Sequence, residues 1–551
     1  MFSKHKGVLI LLIALQLSVS PQISASPSPK ITHDIKPFQK LYGGTLVFGN
    51  NNSPTIINPI LTDSSISVSV MNLVFNRLVQ YDSSGQIQSN LAESWEISPD
   101  GLIYTFRIRH GVKFHDGIEL TAEDVLYTYA QIMNPKNHSP FLRNFNLVKK
   151  MEIVDSHTFR VFIKKPSVAF IYAMMREIVP KHLYEKENLR TGSFNRHPIG
   201  TGPFRFKEWR KNNQIILEAN PDYFEGRPFL DSIVYKVYPT GEEVWSALMR
   251  GEVDLAEFLS IENYELTRKD PSFETYATAT AHYYLISYNL NDPLMSDRRI
   301  RLAIAHAVDR KGLIRDLEKG YGIEATGPFN RQSWAFNPDV KALSYDPSAA
   351  VALLKKAGWQ DLDHDGILKN DNSKLIVRIL VNAKDEKLKR MIMFIRQNLQ
   401  EVGMELQVQL YDNVEEMRRF ISSGKFQAVL TFFPGSGVVD PNETIKFWDS
   451  LDRRSWGARV HWMFNEKVDR LIHLAAVTQD KKVRQEIYYN VHRLIYEQQT
   501  ACFLYSQFDF HAVSKRIGGT ESFLGSPYMP DNLIKDFYVK NSDFKVEGGD
   551  A

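Results

Sequence analysis

Apolar and polar residues follow one another along the chain with two different periods. In IYTFRI, at residues 103–108, they alternate, which predicts a strand with one buried face. Met71, Val74, Phe75 and Leu78 instead have the i, i+3, i+4, i+7 spacing of one helix face. Strands and helices are therefore expected together.

The clearest succession of elements lies between residues 374 and 433. The pattern predicts, in order, the strand LIVRILVN, a helix that Gly403 ends, the strand MELQVQLY, the helix NVEEMRRFISSG and the strand FQAVLTFF. This βαβαβ order is typical of the core of an open parallel sheet. A second βαβ unit runs from Ser232 to Phe258 through the helix GEEVWSALMR.

These two units predict an α/β protein with two lobes. We assign residues 42–285 to the first lobe and residues 286–507 to the second lobe, which contains the βαβαβ core. Residues 508–551 are expected to return to the first lobe. Two crossings between lobes form a hinge, and hinged lobes enclose a cleft.

The N-terminus has the pattern of a secretory signal peptide. Lys4 and Lys6 precede an apolar run of about 13 residues, shorter than the roughly 20 that span a bilayer. Residues 1–25 are predicted to be cleaved, and residues 26–41, rich in Ser and Pro, form a leader segment. No cysteine lies near the predicted cleavage site. We therefore expect a periplasmic protein without a lipid anchor.

Composition excludes some classes of protein. With 551 residues, 43% of them hydrophobic and 24% charged, the chain has the make-up of a folded protein of two or three domains. A net charge of only +3 argues against a nucleic-acid partner, which needs a concentrated basic face. The single cysteine, Cys502, cannot form an internal disulfide, and we interpret it as a small buried residue.

Catalytic signatures do not occur in the sequence. It contains no HExxH, no Walker A loop and no GxSxG elbow. Gly200 and Gly202 begin a dinucleotide-binding pattern, but Arg205 stands where the third glycine belongs. We therefore predict no catalytic residues and no cofactor.

One segment resembles half of a calcium-binding loop. In DLDHDGILKNDN, Asp361, Asp363 and Asp365 occupy positions 1, 3 and 5 of an EF-hand loop. Position 12 is Asn372, so the bidentate glutamate is missing, and Lys369 occupies position 9. A polar turn is favoured over a calcium site.

Two histidines raise the possibility of zinc or of acid–base chemistry. His110 ends the strand IYTFRI, and His115 with Asp116 belongs to the turn HDG. No third ligand is near in sequence, so we interpret them as framework. No metal site is predicted.

The loop PGSGVVDP follows the strand FQAVLTFF, at the carboxyl end where open α/β sheets bind ligands. Ser436 could be imagined as a nucleophile, but no histidine is identifiable as its base. A ligand-binding loop is the better interpretation, with Phe432 and Phe433 offering ring faces to apolar groups.

Several segments together resemble the family 5 extracellular solute-binding proteins, the peptide- and nickel-binding subunits of ABC importers. They are LAESWEISPDGLIYTFRIRHGVKFHDGIELTAEDVLYTY, IGTGPFRF, LEANPDYFEGRPFLDSIVYKVYP, ALMRGEVDL, RIRLAIAHAVDRKGLI, GYGIEATGP and YDPSAAVALLKKAGW. They follow the family's order from about residue 42 to the 530s.

The resemblance implies a two-lobed periplasmic-binding-protein fold with an extra subdomain in the first lobe. It implies closure on a ligand, docking on a membrane permease and a monomeric state. Family pockets use a loop after the first Asn-Pro, which corresponds here to Thr62, Asp63, Ser64 and Ser65. They also use the loop after FQAVLTFF.

In that second loop, the peptide binders of the family carry a Trp and then an Asp that pairs with the peptide amine. Phe433 matches the Trp, and the Asp position falls on Ser436 or Gly437, neither of which is acidic. A buried ammonium needs a counter-charge, so Asp63 and Asp440 remain the candidates.

The sequence thus predicts a periplasmic substrate-binding protein that captures a small solute, first of all an oligopeptide, and delivers it to ABC permease subunits in the inner membrane. The alternatives are a non-peptide ligand (a sugar, an opine or a metal chelate) and a secreted sensor or hydrolase on the same scaffold.

Overall fold

The computed structural model describes residues 41–210, 214–371, 373–433, 440–451, 465–524 and 531–540. The predicted signal peptide, all of the leader but its last residue, and Asn372, Ser436 and Gly437 lie outside the described residues. No helix in the described part of the chain is both long enough and apolar enough to cross a membrane.

The described strands are numbered in chain order. They are β1 Thr45–Asn50, β2 Val79–Tyr81, β3 Ile87–Ser89, β4 Ala92–Ile97, β5 Ile103–Ile108, β6 Val148–Asp155, β7 Thr158–Ile163, β8 Phe204–Arg210, β9 Gln214–Ala219, β10 Ser232–Val237, β11 Leu255–Ala256, β12 Phe273–Tyr288, β13 Gly322–Glu324, β14 Lys369–Asn370, β15 Ser373–Lys374, β16 Ile376–Asn382, β17 Glu405–Tyr411, β18 Ala428–Phe433, β19 Ala501–Ser514, β20 Ile517–Gly518 and β21 Tyr538–Val539.

The described α-helices are numbered in the same way. They are α1 Ser65–Val74, α2 Ala122–Met133, α3 Lys181–Tyr184, α4 Gly241–Met249, α5 Ile261–Thr267, α6 Pro293–Ser296, α7 Arg298–Ala307, α8 Arg310–Glu318, α9 Pro347–Lys356, α10 Glu386–Glu401, α11 Val414–Ser422, α12 Pro441–Ile445, α13 Glu466–Val477, α14 Lys481–Gln498 and α15 Glu521–Leu524.

One large sheet contains strands from both predicted lobes. Its order is β17-β16-β18-β12-β19-β11-β1-β10-β9-β8, and β13 pairs with β19. In the second lobe, β16 pairs in parallel with both β17 and β18, as the βαβαβ pattern predicts. In the first lobe, β1 lies between β10 and β11 and is parallel to both. The predicted α/β class is confirmed.

Two long strands carry the chain between the lobes. β12 and β19 pair antiparallel along their length, with register shifts between Ala279 and Leu285. β11 of the first lobe pairs with one end of β19, and β18 of the second lobe pairs with the other end of β12. The predicted boundaries at 285/286 and 507/508 fall within these two strands. The assignment of residues to lobes at those boundaries stays a prediction.

The extra subdomain of the first lobe is a separate antiparallel sheet, β4-β5-β7-β6, with α2 packed against it. Within β5, Tyr104, Phe106 and Ile108 are buried, as the alternation predicts. Thr121 caps α2 and forms a capping box with Asp124. The buried residues of β5 and the cap of α2 are thus framework.

His115 illustrates this framework role. Its Nε2 lies 3.0 Å from the carbonyl oxygen of Gly202, and its Nδ1 accepts from the N–H of Gly200. Burial lowers the pKa of His115 to about 4. The ring is therefore neutral at pH 7 and holds two loops together.

Cys502 lies in β19 with no exposed surface. Arg310 donates to its sulfur over 3.3 Å, and burial raises the pKa of the thiol. The interpretation as a small buried residue is confirmed.

Candidate functional site

A cleft separates the subdomain of the first lobe from helices α12, α13 and α14 of the second. Its larger cavity has a volume of about 530 Å³ and is lined by side chains of both lobes. A neighbouring cavity of about 310 Å³ shares Pro166, Ser167, Tyr172 and Val477 with it, so the two are parts of one cleft. Both volumes are in the range of small-molecule pockets.

The lining of the larger cavity is rich in cations. Arg77, Arg143, Lys165, Arg176 and Lys446 all contribute to it, and Asp449 is the one carboxylate among the described lining residues. This composition gives the cavity a positive potential that favours negatively charged solutes.

Two of the charged lining residues already have partners. Arg77 donates to the buried carboxylate of Glu177, with Nη2 and Oε1 2.6 Å apart. Asp449 Oδ2 lies 2.8 Å from His473 Nε2. Glu177 and Asp449 thus place two negative charges against the five cations of the described lining.

Arg176 is the lining cation that directly precedes the buried Glu177 in the chain. Its guanidinium carbon lies 4.3 Å from the centroid of the Phe141 ring. Its Nε is buried and has no hydrogen-bond partner within the described part of the chain. Burial lowers the pKa of Arg176, and the negative charge of Glu177 opposes this shift.

Asp440 lines the smaller cavity, but its charge is already neutralised. Both of its carboxylate oxygens accept from the guanidinium of Arg484, and both side chains are buried. Oδ1 also accepts from the N–H of Asn442, 2.9 Å away, at the start of α12. Asp440 would have to leave Arg484 to pair with a peptide amine, and ligand contact by Asp440 stays a prediction.

The predicted segment at residues 62–65 is held by the buried Asn58. The side chain of Asn58 donates to Asn195 Oδ1 over 2.7 Å, and its Oδ1 accepts from the N–H of Ile60. Thr62 is largely buried, and its hydroxyl accepts from the N–H of Ser64 over 3.2 Å.

The rest of this segment is open to solvent. Asp63, Ser64 and Ser65 are exposed, and Ser65 begins α1. Of the predicted site residues that the structure describes, only Asp440 lines either of the two cavities. Ligand contact by residues 62–65 stays a prediction.

Phe432 and Phe433 point to opposite sides of β18. Phe432 is 45% exposed and lies beside His282 and Tyr284. Phe433 is buried against Tyr283. Phe433 therefore differs from the sequence expectation, because strand alternation turns its ring into the core, and only Phe432 presents a face to solvent.

The cationic residues of the cavity were not found by the sequence analysis. The one available signal is the pair Arg176-Glu177, directly after the apolar run AFIYAMM at 169–175. Charged residues that adjoin a buried run need partners. Arg143, Lys165 and Lys446 give no comparable signal, because each is exposed and an exposed cation needs no protein partner.

The aspartate loop at 361–365 contains a cation of the protein itself. Lys369 Nζ contacts the carboxylates of both Asp363 and Asp365, the latter over 2.9 Å. This contact lowers the pKa of Asp365 to about 2. The ammonium occupies the place that a metal ion would need, which supports the interpretation as a turn.

Sequence comparison identifies relatives that span nearly the whole chain. The family model of the bacterial extracellular solute-binding proteins, family 5 Middle, matches residues 86–456. The oligopeptide-binding protein AppA of Bacillus subtilis (strain 168) is 29% identical over 521 residues, which are 93% of this chain and 94% of AppA. The dipeptide-binding protein of Escherichia coli (strain K12) is 25% identical over 499 residues, 86% and 91% of the two chains.

Solved structures give the same result. AppA from Bacillus subtilis in complex with a nonapeptide has a TM-score of 0.69 at 27% identity, covering 91% of this chain and 100% of that one. NikZ from Campylobacter jejuni in complex with Ni(L-His) has a TM-score of 0.69 at 27% identity, covering 86% and 95%. The predicted two-lobed periplasmic-binding-protein fold is confirmed.

Proposed function

The chain belongs to the bacterial extracellular solute-binding proteins of family 5, and from that membership we propose that it captures a small peptide in its cleft and delivers it to the permease subunits of an ABC importer. Relatives named as oligopeptide- and dipeptide-binding proteins support the ligand class. We further propose that the protein acts in the periplasm as a monomer, after cleavage of its signal peptide, and catalyses no reaction.

The observation that carries this proposal is the cation-rich cavity between the lobes. A linear peptide with a free C-terminus carries a terminal carboxylate, and the Arg176 guanidinium is one of the cations that line the cavity. A charge-assisted hydrogen bond to a carboxylate is stronger than a neutral one. In the proposed complex the peptide carboxylate lies against the subdomain wall of the cavity.

The positive charge of this wall also distinguishes between the alternative ligands. A sugar has no charge for these cations to bind, whereas an opine or a carboxylate-containing metal chelate does. An anionic non-peptide solute is therefore the second candidate, and the buried Asp440–Arg484 pair favours it, because one of the two candidate partners of a peptide amine is already paired.

The test compares peptides that differ only at the carboxyl end. Isothermal titration calorimetry would use trialanine with a free and with an amidated C-terminus. Amidation should weaken binding to the wild-type protein by about tenfold to a hundredfold, since a hydrogen bond to a charged group contributes roughly 1.5–3 kcal/mol. In Arg176→Met this difference should largely disappear.

Arg196→Met is the matched control, because Arg196 also lies over an aromatic ring, that of Trp209, at 4.2 Å, and lines neither cavity. It should preserve the amidation penalty. Equal affinity for the two wild-type ligands would contradict the proposed carboxylate contact. Native mass spectrometry of the purified protein gives an independent answer: a bound non-peptide anion would replace the peptide proposal.

A further inference from the structure

Three side chains from distant parts of the sequence meet at one end of the subdomain sheet. His110 follows β5, His157 lies in the turn between β6 and β7, and Glu119 precedes α2. One ligand atom from each lies within 4.8 Å of the other two. None of the three residues lines the cleft cavities, so this cluster is separate from the proposed solute site.

The arrangement has distances close to those around a metal ion. His157 Nε2 lies 3.4 Å from Glu119 Oε1, and the rings of His110 and His157 stack with centroids 3.8 Å apart. Two ligand atoms of a tetrahedral zinc ion, each about 2.0–2.2 Å from the metal, are about 3.3–3.5 Å apart. The exposed His110 supplies the third ligand atom, which lies within 4.8 Å of the other two.

His157 has a nitrogen without a hydrogen-bond partner. Its side chain is only 14% exposed, and its Nε2 is buried and makes no hydrogen bond within the described part of the chain. A buried polar atom without a hydrogen bond requires an explanation, and coordination of a metal ion is one. This nitrogen faces the carboxylate of Glu119.

The surrounding contacts orient the ligands as in known metal sites. His157 Nδ1 lies 3.0 Å from Ser156 Oγ, which fixes the ring and leaves Nε2 for a metal. The N–H of Gly111 donates to Glu119 Oε1 over 2.7 Å and orients the carboxylate towards His157.

We propose that His110, Glu119 and His157 form a binding site for a divalent transition-metal ion, with Zn²⁺ as the preferred ion. Two imidazoles and one carboxylate suit Zn²⁺, Ni²⁺ and Cu²⁺, and are a poor set for Ca²⁺ or Mg²⁺, which prefer oxygen ligands. The bound ion would join three segments of the subdomain and leave a fourth position open to solvent.

The test uses the full-length, tag-free protein after removal of metals with a chelator. Calorimetric titration with Zn²⁺ should show one site, and each of His110→Ala, Glu119→Gln and His157→Ala should weaken it at least about tenfold, since losing even an outer-shell partner costs that much. Glu119→Gln keeps an oxygen that accepts from Gly111, so it tests the charge without removing the loop contact.

His197→Ala is the control, because His197 is an exposed histidine of the same lobe outside the cluster. It should bind Zn²⁺ like the wild-type protein. With Cu²⁺ as the probe, electron paramagnetic resonance should show coupling to two imidazole nitrogens in the wild-type protein and to one in His110→Ala. Circular dichroism confirms that the variants are folded. Zn²⁺ binding that is absent, or unchanged in all three cluster variants, overturns the proposal.

Discussion

Both carboxylate oxygens of Asp440 accept from the guanidinium of Arg484, and the exposed fractions of the two side chains are only 3% and 4%. The pair joins the start of α12 to α14 and forms part of the wall of the smaller cavity. Because neither charge reaches bulk solvent, each depends on the other for its neutralisation.

Removal of one partner should destabilise the protein strongly. Arg484→Met is expected to lower the free energy of unfolding by about 3–5 kcal/mol, because it leaves a buried carboxylate unpaired. Urea unfolding followed by circular dichroism measures the loss. The control is Arg493→Met, which removes an exposed pair with Glu497 and should cost about 1 kcal/mol or less. Similar losses in the two variants would contradict a buried pair.

Acidification should destabilise the protein through three buried histidines. Burial lowers the pKa values of His115, His492 and His511 to about 4, whereas an unfolded histidine has a pKa of about 6.5. Between these two pKa values the unfolded chain binds more protons than the folded protein. The stabilising contribution of the three histidines is therefore complete above about pH 6.5 and is lost as pH falls towards 4. Burial raises the pKa of Asp509 to about 6, so protonation of this carboxyl favours the folded protein as pH falls.

Urea unfolding at pH 7, 5.5 and 4.5 measures this dependence. The expected net loss is on the order of a few kcal/mol, since three groups oppose one. His511→Phe should have a shallower dependence, because His511 is fully buried and neither ring nitrogen has a hydrogen-bond partner among the described residues. An unchanged slope in this variant would show that His511 does not contribute.

The aspartate loop should not bind calcium, because the Lys369 ammonium already contacts two of its three carboxylates. When the wild-type protein has been treated with EDTA, the addition of Ca²⁺ should not change its melting temperature. Lys369→Gln removes the ammonium and should allow weak Ca²⁺ binding to Asp361, Asp363 and Asp365, visible by calorimetry. If EDTA lowers the melting temperature of the wild-type protein by several degrees and Ca²⁺, not Zn²⁺, restores it, the loop is a calcium site.

The elements that could be predicted from the sequence are those whose signal is local. The alternation in IYTFRI reports the two faces of β5 directly, because neighbouring residues in a strand point in opposite directions. The order of elements between residues 374 and 433 similarly led to the parallel pairs of β16 with β17 and β18. Thr121 was recognisable as a cap, since the cap and its partner Asp124 are three residues apart.

The contacts that could not be predicted join residues far apart in the chain. Asp440 looked available for a ligand because nothing near it in sequence marks Arg484 as its partner. His110 was interpreted as framework because His157, which stacks on it, belongs to a different hairpin. Arg176 and Lys446 face the same cavity only after the lobes are assembled. Tertiary structure determines these contacts, and no local periodicity of the sequence indicates them.

Solute binding should change the shape of the molecule through the hinge strands β12 and β19. At a trialanine concentration a hundred times its dissociation constant, stability should rise by about 2.7 kcal/mol by mass action. Small-angle scattering should show a smaller radius of gyration under the same conditions, because the lobes close. A stability gain without any change in scattering would place the ligand in a cleft that is closed already.

The amino end of a bound peptide should contribute little to its affinity. An ammonium that enters a closed cleft needs a counter-charge. Without one, burial of the ammonium costs several kcal/mol. Asp440 is paired with Arg484, and Asp63 is exposed to solvent, where the strength of an ion pair is about 0–1 kcal/mol. N-acetylation of trialanine should therefore weaken binding by less than about 2 kcal/mol, the low end of the cost of losing a buried charge partner.

Calorimetry with free and acetylated trialanine tests this expectation in the wild-type protein, Asp63→Asn and Asp440→Asn. The acetylation penalty should be small in all three, and Asp440→Asn should be measured at a temperature where it is fully folded, since it breaks the pair with Arg484. A larger penalty that only Asp63→Asn abolishes would identify Asp63 as the partner of the amine. A larger penalty that only Asp440→Asn abolishes would mean that Asp440 leaves Arg484 when a peptide binds, so the buried pair would be a switch between the unliganded and the liganded cleft.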